Sequence, residues 1–117
     1  FKIGKATVDK SEIKSNETVK LTVPVINAGK RSGTEIVQVY IHKVNDIEGP
    51  IKTLRGFQRV ELAAGKSGQA TIDLTPSAFE FFDWAQRKMM VTPGDYEVLY
   101  GNSSDVKALK SLKITIK

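Results

Sequence analysis

The residues able to carry acid–base or metal chemistry are few in this chain. His42 is the single histidine and there is no cysteine, so a histidine-based zinc cluster, a thiolate metal site and a cysteine nucleophile are all excluded. A serine nucleophile would need His42 as its base, and no G-x-S-x-G elbow is present to expose one. His42 follows Tyr40 on the polar face of a predicted strand, so we predict a solvent-facing or interface histidine.

Paired carboxylates could support glycoside hydrolysis, in which one acts as acid and the other as nucleophile or base. Thirteen acidic residues are present, so the proximity of some pair has to be weighed. Most of them fall at strand exteriors or turns, where solubility and turn formation explain them; examples are Glu35, Asp73, Glu97, Asp95 and Asp105. We therefore predict no catalytic residues.

Two loops were weighed as ligand sites. The acidic segment 45–49 lacks the spaced oxygen ligands and the distal glutamate of a calcium-binding EF-hand loop. Gly29 and Gly33 lie between strands with no following helix, which removes the helix N-terminus that a phosphate cradle needs. The sequence predicts no metal and no cofactor.

Length and charge indicate one ordinary globular domain covering residues 1–117. A chain of 117 residues is within the usual size of a single domain. The net charge of +5 comes from dispersed lysines that alternate with apolar residues, so we predict no nucleic-acid partner. No run of about 18 apolar residues occurs, so no membrane span is predicted. Because the chain starts at Phe1 rather than Met, we expect a piece of a larger protein.

Alternation with a period of two residues dominates the chain and predicts β-strands separated by glycine-containing turns. Seven or eight short strands and a single helical turn at 75–79, where Thr75 can cap and Pro76 suits the first position, favour an all-β antiparallel sandwich of the immunoglobulin or fibronectin type III kind. Pro24 is expected at an edge or a bulge. The predicted inward rows are Val19, Leu21, Val23 and Val25; Val37, Val39 and Ile41; Ala70, Ile72 and Leu74; Tyr96, Val98 and Tyr100; and Leu112, Ile114 and Ile116.

The strand from Leu54 to Leu62 breaks this phase. Leu54 and Phe57 are an odd number of residues apart, so one regular strand cannot point both side chains to the same face. Gly56 lies between them and is the predicted bulge. A second irregular feature is the aromatic cluster at 79–84, in which Trp84, together with Tyr100 further along the chain, could stack on a sugar or pack in the core or a domain interface; we favour packing.

The chain contains an ordered series of short motifs: 25–33, Glu35–Ile41, Pro50–Phe57, Val60–Leu62, Gly65, Phe82–Asp83, Pro93–Val98 and Gly101–Ser104. In order and spacing this series resembles the C-terminal fibronectin type III-like domain of family 3 glycoside hydrolases, the β-glucosidase and β-xylosidase family. The resemblance implies a non-catalytic accessory domain, whose partners are the catalytic domains of a parent glycosidase and whose location is periplasmic or secreted with that parent. The alternative is a carbohydrate-binding sandwich module with oligosaccharide as its partner.

The candidate domain interface is the segment around the predicted bulge, with Lys52, Leu54, Arg55 and Phe57 as its residues. Since Leu54 and Phe57 are out of phase, we expect one to serve the core and the other to be free for a neighbouring domain. The alternative is that local loop packing buries both.

Overall fold

A computed structural model describes residues 1–44, 53–83, 85–102 and 109–117. In these residues the chain forms two β-sheets, one β-hairpin and one 3-10 turn at Pro76–Phe79. The strands are β1 (Lys2–Ile3), β2 (Thr7–Val8), β3 (Glu12–Ile13), β4 (Val19–Ile26), β5 (Gly33–Lys43), β6 (Thr53–Leu62), β7 (Ser67–Leu74), β8 (Phe81–Asp83), β9 (Lys88–Met90), β10 (Gly94–Gly101) and β11 (Lys110–Ile116).

The first sheet has four strands, with β4 at its centre. Strand β7 pairs along the full length of β4 on one side, while β1 and β2 pair with successive parts of β4 on the other side. The second sheet has five strands in the order β3-β11-β10-β5-β6. All the pairings in both sheets are antiparallel except that of β3 with β11. Strands β8 and β9 form the separate hairpin.

The core lies between the two sheets and is made of the inward rows that alternation predicts. Residues of β4 and β7 from the first sheet and of β5, β10 and β11 from the second belong to one buried apolar cluster. Of the predicted inward residues, Leu112 alone is only partly buried. The predicted all-β antiparallel sandwich is confirmed.

The number of strands differs from the predicted seven or eight because the N-terminal segment is paired after all. This segment forms three two-residue strands. Strands β1 and β2 belong to the four-stranded sheet, and the chain then crosses to the five-stranded sheet, where it forms β3. The Ala6 N–H donates to the Tyr100 hydroxyl over 2.9 Å within the buried interior. Ala6 lies between β1 and β2, so this bond fastens the segment joining these two strands to Tyr100 of the opposite sheet.

Pro24 lies inside β4 rather than at a sheet edge, which contradicts the prediction for the strand but explains how the proline is tolerated. In an antiparallel ladder the N–H and C=O of one residue point to the same side. The Pro24 carbonyl accepts from the Gly4 N–H over 2.8 Å, so its nitrogen also faces the segment between β1 and β2. The missing donor therefore falls where the ladder is already interrupted, and the pairing with β7 is untouched.

Candidate domain interface

A bulge interrupts the pairing of β5 with β6 where the sequence loses its phase. Val39 pairs with Gly56 and the next residue, Tyr40, pairs with Leu54, so Arg55 has no partner across the ladder. The predicted register break is therefore confirmed, with Arg55 as the extra residue beside Gly56.

The extra residue places Leu54 and Phe57 on the same face. A bulge of one residue restores the phase between two positions that are three apart, and their ladder partners, Tyr40 and Gln38, share the outer face of β5. Leu54 is 50% exposed and Phe57 is 67% exposed. The expectation that one of the two serves the core is therefore wrong, and so is the alternative that both are buried.

Gly56 occupies the inward position at the bulge. A Cβ atom on this residue would lie 3.2 Å from the Cγ2 atom of Ile72 on β7, which is closer than ordinary van der Waals contact. The absence of a side chain lets β6 approach the opposite sheet here. The bulge thus turns two large apolar side chains outward and keeps the inward position empty.

Arg55 points away from the exposed pair and toward the segment that precedes β8. Its Nη2 donates to the Glu80 carbonyl, and its Cζ lies 4.8 Å from the centroid of the Phe81 ring, a cation–π arrangement. Desolvation lowers the pKa of the guanidinium, partly offset by the charge of Glu80. Its buried Nε has no hydrogen-bond partner among the residues that the structure describes. Arg55 therefore attaches the bulge to the hairpin, and its membership of the predicted interface stays a prediction.

Two buried side chains, Tyr40 and Leu99, lie on the outer face in the same row as Leu54. Tyr40 pairs with Leu54 on one side and with Leu99 of β10 on the other, so all three belong to one row across the sheet. Tyr40 is 9% exposed and Leu99 is 6% exposed, and the Tyr40 hydroxyl donates to Gln38. Alternation predicts the outward direction of Tyr40 correctly, yet this outward residue is buried.

Charged and polar residues lie at both ends of this outer face. Ile36 of β5 pairs with Arg59 of β6 at one end. His42 pairs with Glu97 at the other end, and Glu97 in turn pairs with Lys113. His42 is half-buried on the predicted face, and its Nδ1 has no hydrogen-bond partner in the described part of the chain.

Of the two aromatic candidates for a sugar platform, the structure describes Tyr100. Tyr100 is buried in the core, where its hydroxyl accepts from Ala6, so packing, the favoured prediction, is confirmed for this residue. Trp84 lies outside the described residues, as do Lys52, Asp105 and the acidic loop at 45–49. On the hairpin, Phe82 pairs with Met89 and both are exposed.

A buried polar junction at the end of β4 was missed by the sequence analysis. Asn27 Nδ2 donates to the carbonyls of Arg31 and Leu62 over 2.8 and 3.0 Å, and its Oδ1 accepts from the Gly29 N–H over 3.0 Å. The Asn27 backbone also pairs with Gly65 and Lys66 of the β6–β7 turn. The motif 25–33 contained the signal, since an asparagine directly before a glycine loop can bond to its own loop.

Several acidic side chains have structural partners. Asp95 accepts from the Thr115 hydroxyl over 2.9 Å and lies 3.6 Å from the Lys113 ammonium, and Glu35 accepts from the Asn102 amide over 3.0 Å. Within the described ranges no group of three His, Asp or Glu side chains could hold a metal ion. In the same ranges no helix has the length and apolar character needed to cross a membrane.

Comparison with known proteins gives consistent matches. The model of the family described as fibronectin type III-like domain matches residues 35–104. The xylan 1,4-β-xylosidase of Xylanibacter ruminicola is 40% identical over 116 residues, which are 99% of this chain and 13% of that protein. Thermostable β-glucosidase B of Acetivibrio thermocellus is 32% identical over 116 residues, covering 97% of this chain and 15% of that protein.

Solved structures agree with these sequence matches. A β-glucosidase from Erythrobacter marinus superposes with a TM-score of 0.87 at 31% identity, covering 99% of this chain and 15% of that chain. A β-glucosidase from Listeria innocua superposes with a TM-score of 0.82 at 26% identity, covering 98% of this chain and 16% of that chain. The chain thus spans about one seventh of the length of these relatives.

Proposed function

We propose that this chain, which belongs to the fibronectin type III-like domain family, is a non-catalytic accessory domain of a longer glycoside hydrolase. In this role it packs against the catalytic domains of a β-glucosidase-like or β-xylosidase-like enzyme and stabilises them. The resemblance to the family 3 glycoside hydrolases, predicted from the sequence, is confirmed by the relatives. The role within the longer enzyme is the step that we propose.

The observation that carries this proposal is the combination of a small share of the relatives' length with an irregularity that exposes apolar side chains. The bulge at Arg55 turns Leu54 and Phe57 outward, an arrangement that suits the packing of another protein surface. By contrast, the acidic side chains Asp95 and Glu35 bond to neighbours within the domain, which fits a structural use of these carboxylates.

The test of this function is deletion of the domain from the longer enzyme. If the domain stabilises the catalytic part, the truncated enzyme will melt at a lower temperature and lose activity faster at a temperature that the intact enzyme withstands. Equal melting temperatures and equal inactivation rates for the two proteins would contradict an accessory role.

Two further measurements address the rival functions. A carbohydrate-binding module would give saturable heat when titrated with gluco- or xylo-oligosaccharides, and among the described residues exposed Phe57 and Phe82 could supply such a platform. We expect no saturable heat. Turnover of an aryl glycoside by the 117-residue chain above background would contradict the non-catalytic assignment.

A further inference from the structure

We propose that the domain docks through the outer face of its five-stranded sheet at β5 and β6, and that the occupant is another domain of the same longer polypeptide. This inference rests on the proposed accessory function and adds to it the surface and the chemistry of the partner. The docking surface consists of exposed Ile36, Leu54 and Phe57, with buried Tyr40 and Leu99 in the same row of the sheet as Leu54.

The exposed side chains at the centre of the docking surface are apolar. Leu54 and Phe57 are turned outward by the bulge, and Ile36 lies further along β5 on the same face, since it is an even number of residues from Gln38 and Tyr40. Beside Leu54, its row continues across the sheet with Tyr40 and Leu99, which are buried. Three large apolar side chains exposed on one face of neighbouring strands mark an interaction site more often than isolated exposed residues do.

The edges of the docking surface are polar. Arg59 lies beside Ile36 at one end, and His42, Glu97 and Lys113 follow one another across the sheet at the other end. An apolar centre with a polar rim is the usual anatomy of a protein–protein interface. The matching partner surface presents aliphatic or aromatic side chains at its centre and hydrogen-bonding groups around them.

The outer face of the four-stranded sheet provides the internal contrast. Its central strand β4 places Lys20, Thr22 and Pro24 outward, and the matching positions of β7 are Asp73, Thr71 and Gln69. Ile26 is the one large hydrophobic residue exposed there in the described strands, at 44%. This face has the polar composition expected of a solvated sheet surface.

The length of the relatives indicates which occupant to expect. The chain accounts for 13% to 16% of the four relatives described above, so in a protein of that kind most of the polypeptide is available to cover the surface. Domains of one chain typically bury about 600–1,500 Å² against each other. The exposed apolar side chains lie on β5 and β6, at the edge of the described five-stranded sheet, where a neighbouring domain can reach them.

The experiment replaces the apolar centre in the longer enzyme and measures release of the domain. In Leu54→Ser/Phe57→Ser, we expect limited proteolysis between the domain and its neighbour to proceed at least about tenfold faster, because centrally placed apolar residues carry most of the binding energy. The matched control is Ile26→Ser, which removes an apolar residue of similar exposure from the opposite sheet and should leave the rate at the wild-type value. Oligomeric mass is measured by light scattering on the same samples.

The outcomes separate this inference from the proposed function. If the double variant is cleaved like wild type while deletion of the domain still destabilises the enzyme, the accessory function stands and the docking surface is wrong. If the deletion has no effect either, the accessory function itself fails. A rate increase in Ile26→Ser equal to that of the double variant, or a halved oligomeric mass with unchanged cleavage, would also overturn the inference, the latter because the surface would then bind a second copy.

Discussion

Two polar side chains hold irregular backbone in this domain, Asn27 at the β4–β5 loop and Arg55 at the β6 bulge, and their surroundings differ. Asn27 is buried and its amide donates twice and accepts once. Arg55 makes one hydrogen bond to Glu80 and one ring contact, while its buried Nε has no partner in the described residues.

The two sites differ in what their irregular backbone stabilises: the Asn27 junction serves the domain's own packing, and the bulge does so less completely. Buried polar groups in native proteins are nearly always hydrogen-bonded, and incompletely satisfied ones tend to occur at functional sites. The hydrogen bonds of Asn27 close the β4–β5 loop against Leu62 and the β6–β7 turn. The bulge instead leaves two large apolar side chains, Leu54 and Phe57, exposed on the outer face, which is the pattern expected where a partner completes the packing.

The largest effect is expected at the junction. Asn27→Ala should lower the free energy of unfolding of the chain by about 3 kcal/mol, because the substitution leaves the Arg31 and Leu62 carbonyls and the Gly29 N–H without their partner. Urea denaturation followed by tryptophan fluorescence measures this change. Exposed Asn16 is the control, and Asn16→Ala should shift the free energy by less than about 0.5 kcal/mol.

A small loss of stability in Asn27→Ala would contradict the difference between the Asn27 junction and the bulge. If Asn27→Ala and Asn16→Ala were equally stable, water would be replacing the amide at little cost, and the junction would no longer differ in kind from the bulge. Asn27→Asp sharpens the reading, because a carboxylate cannot donate to either carbonyl.

An intermediate effect is expected at the bulge. Arg55→Ala should lower the free energy of unfolding by about 1–2 kcal/mol, since it removes the bond to the Glu80 carbonyl and the stacking on Phe81. Arg59→Ala is the matched control on the same strand, where the arginine is exposed, and its effect should stay below about 0.5 kcal/mol.

The variant Arg55→Met tests the unpaired nitrogen directly. Replacing a partly buried, incompletely paired cation by an apolar side chain of similar length is often nearly neutral, so Arg55→Met should be more stable than Arg55→Ala by about 1 kcal/mol. If both variants lose stability equally, the charge itself is required and Arg55 resembles Asn27 after all.

The regular part of this fold could be predicted from sequence because alternation reports burial directly. The odd-numbered residues from Val19 to Val25 on β4 and from Val37 to Ile41 on β5 are inward as the pattern requires. The break at Gly56 was also visible, since the phase of Leu54 and Phe57 cannot be reconciled without an extra residue. Local spacing fixes these features, so no knowledge of tertiary neighbours is needed.

The remaining features depend on residues far away in sequence. Leu54 points outward because Arg55, and not Gly56, is the bulge residue without a ladder partner. Tyr40 is buried although it lies on the outer face. Asn27 bonds to Leu62, 35 positions away, so a motif that predicts a local turn cannot disclose its role. Pro24 was misplaced for the same reason, because the interruption of the β1–β2 edge decides its environment.

The smallest effect on the chain by itself is expected at the docking surface. Leu54→Ser should lower the free energy of unfolding by less than about 0.5 kcal/mol, because the side chain is already half exposed. The remaining loss comes from the lower β-propensity of serine at the edge strand, which is about a few tenths of a kcal/mol. Val60→Ala on the same strand removes buried methyl groups and should cost about 2 kcal/mol. Thermal melts of the two variants beside wild type provide the measurement. A loss in Leu54→Ser comparable to that in Val60→Ala would mean that Leu54 stabilises the domain's own packing, and the contrast between a self-sufficient junction and a surface completed by a partner would fail at its most exposed residue.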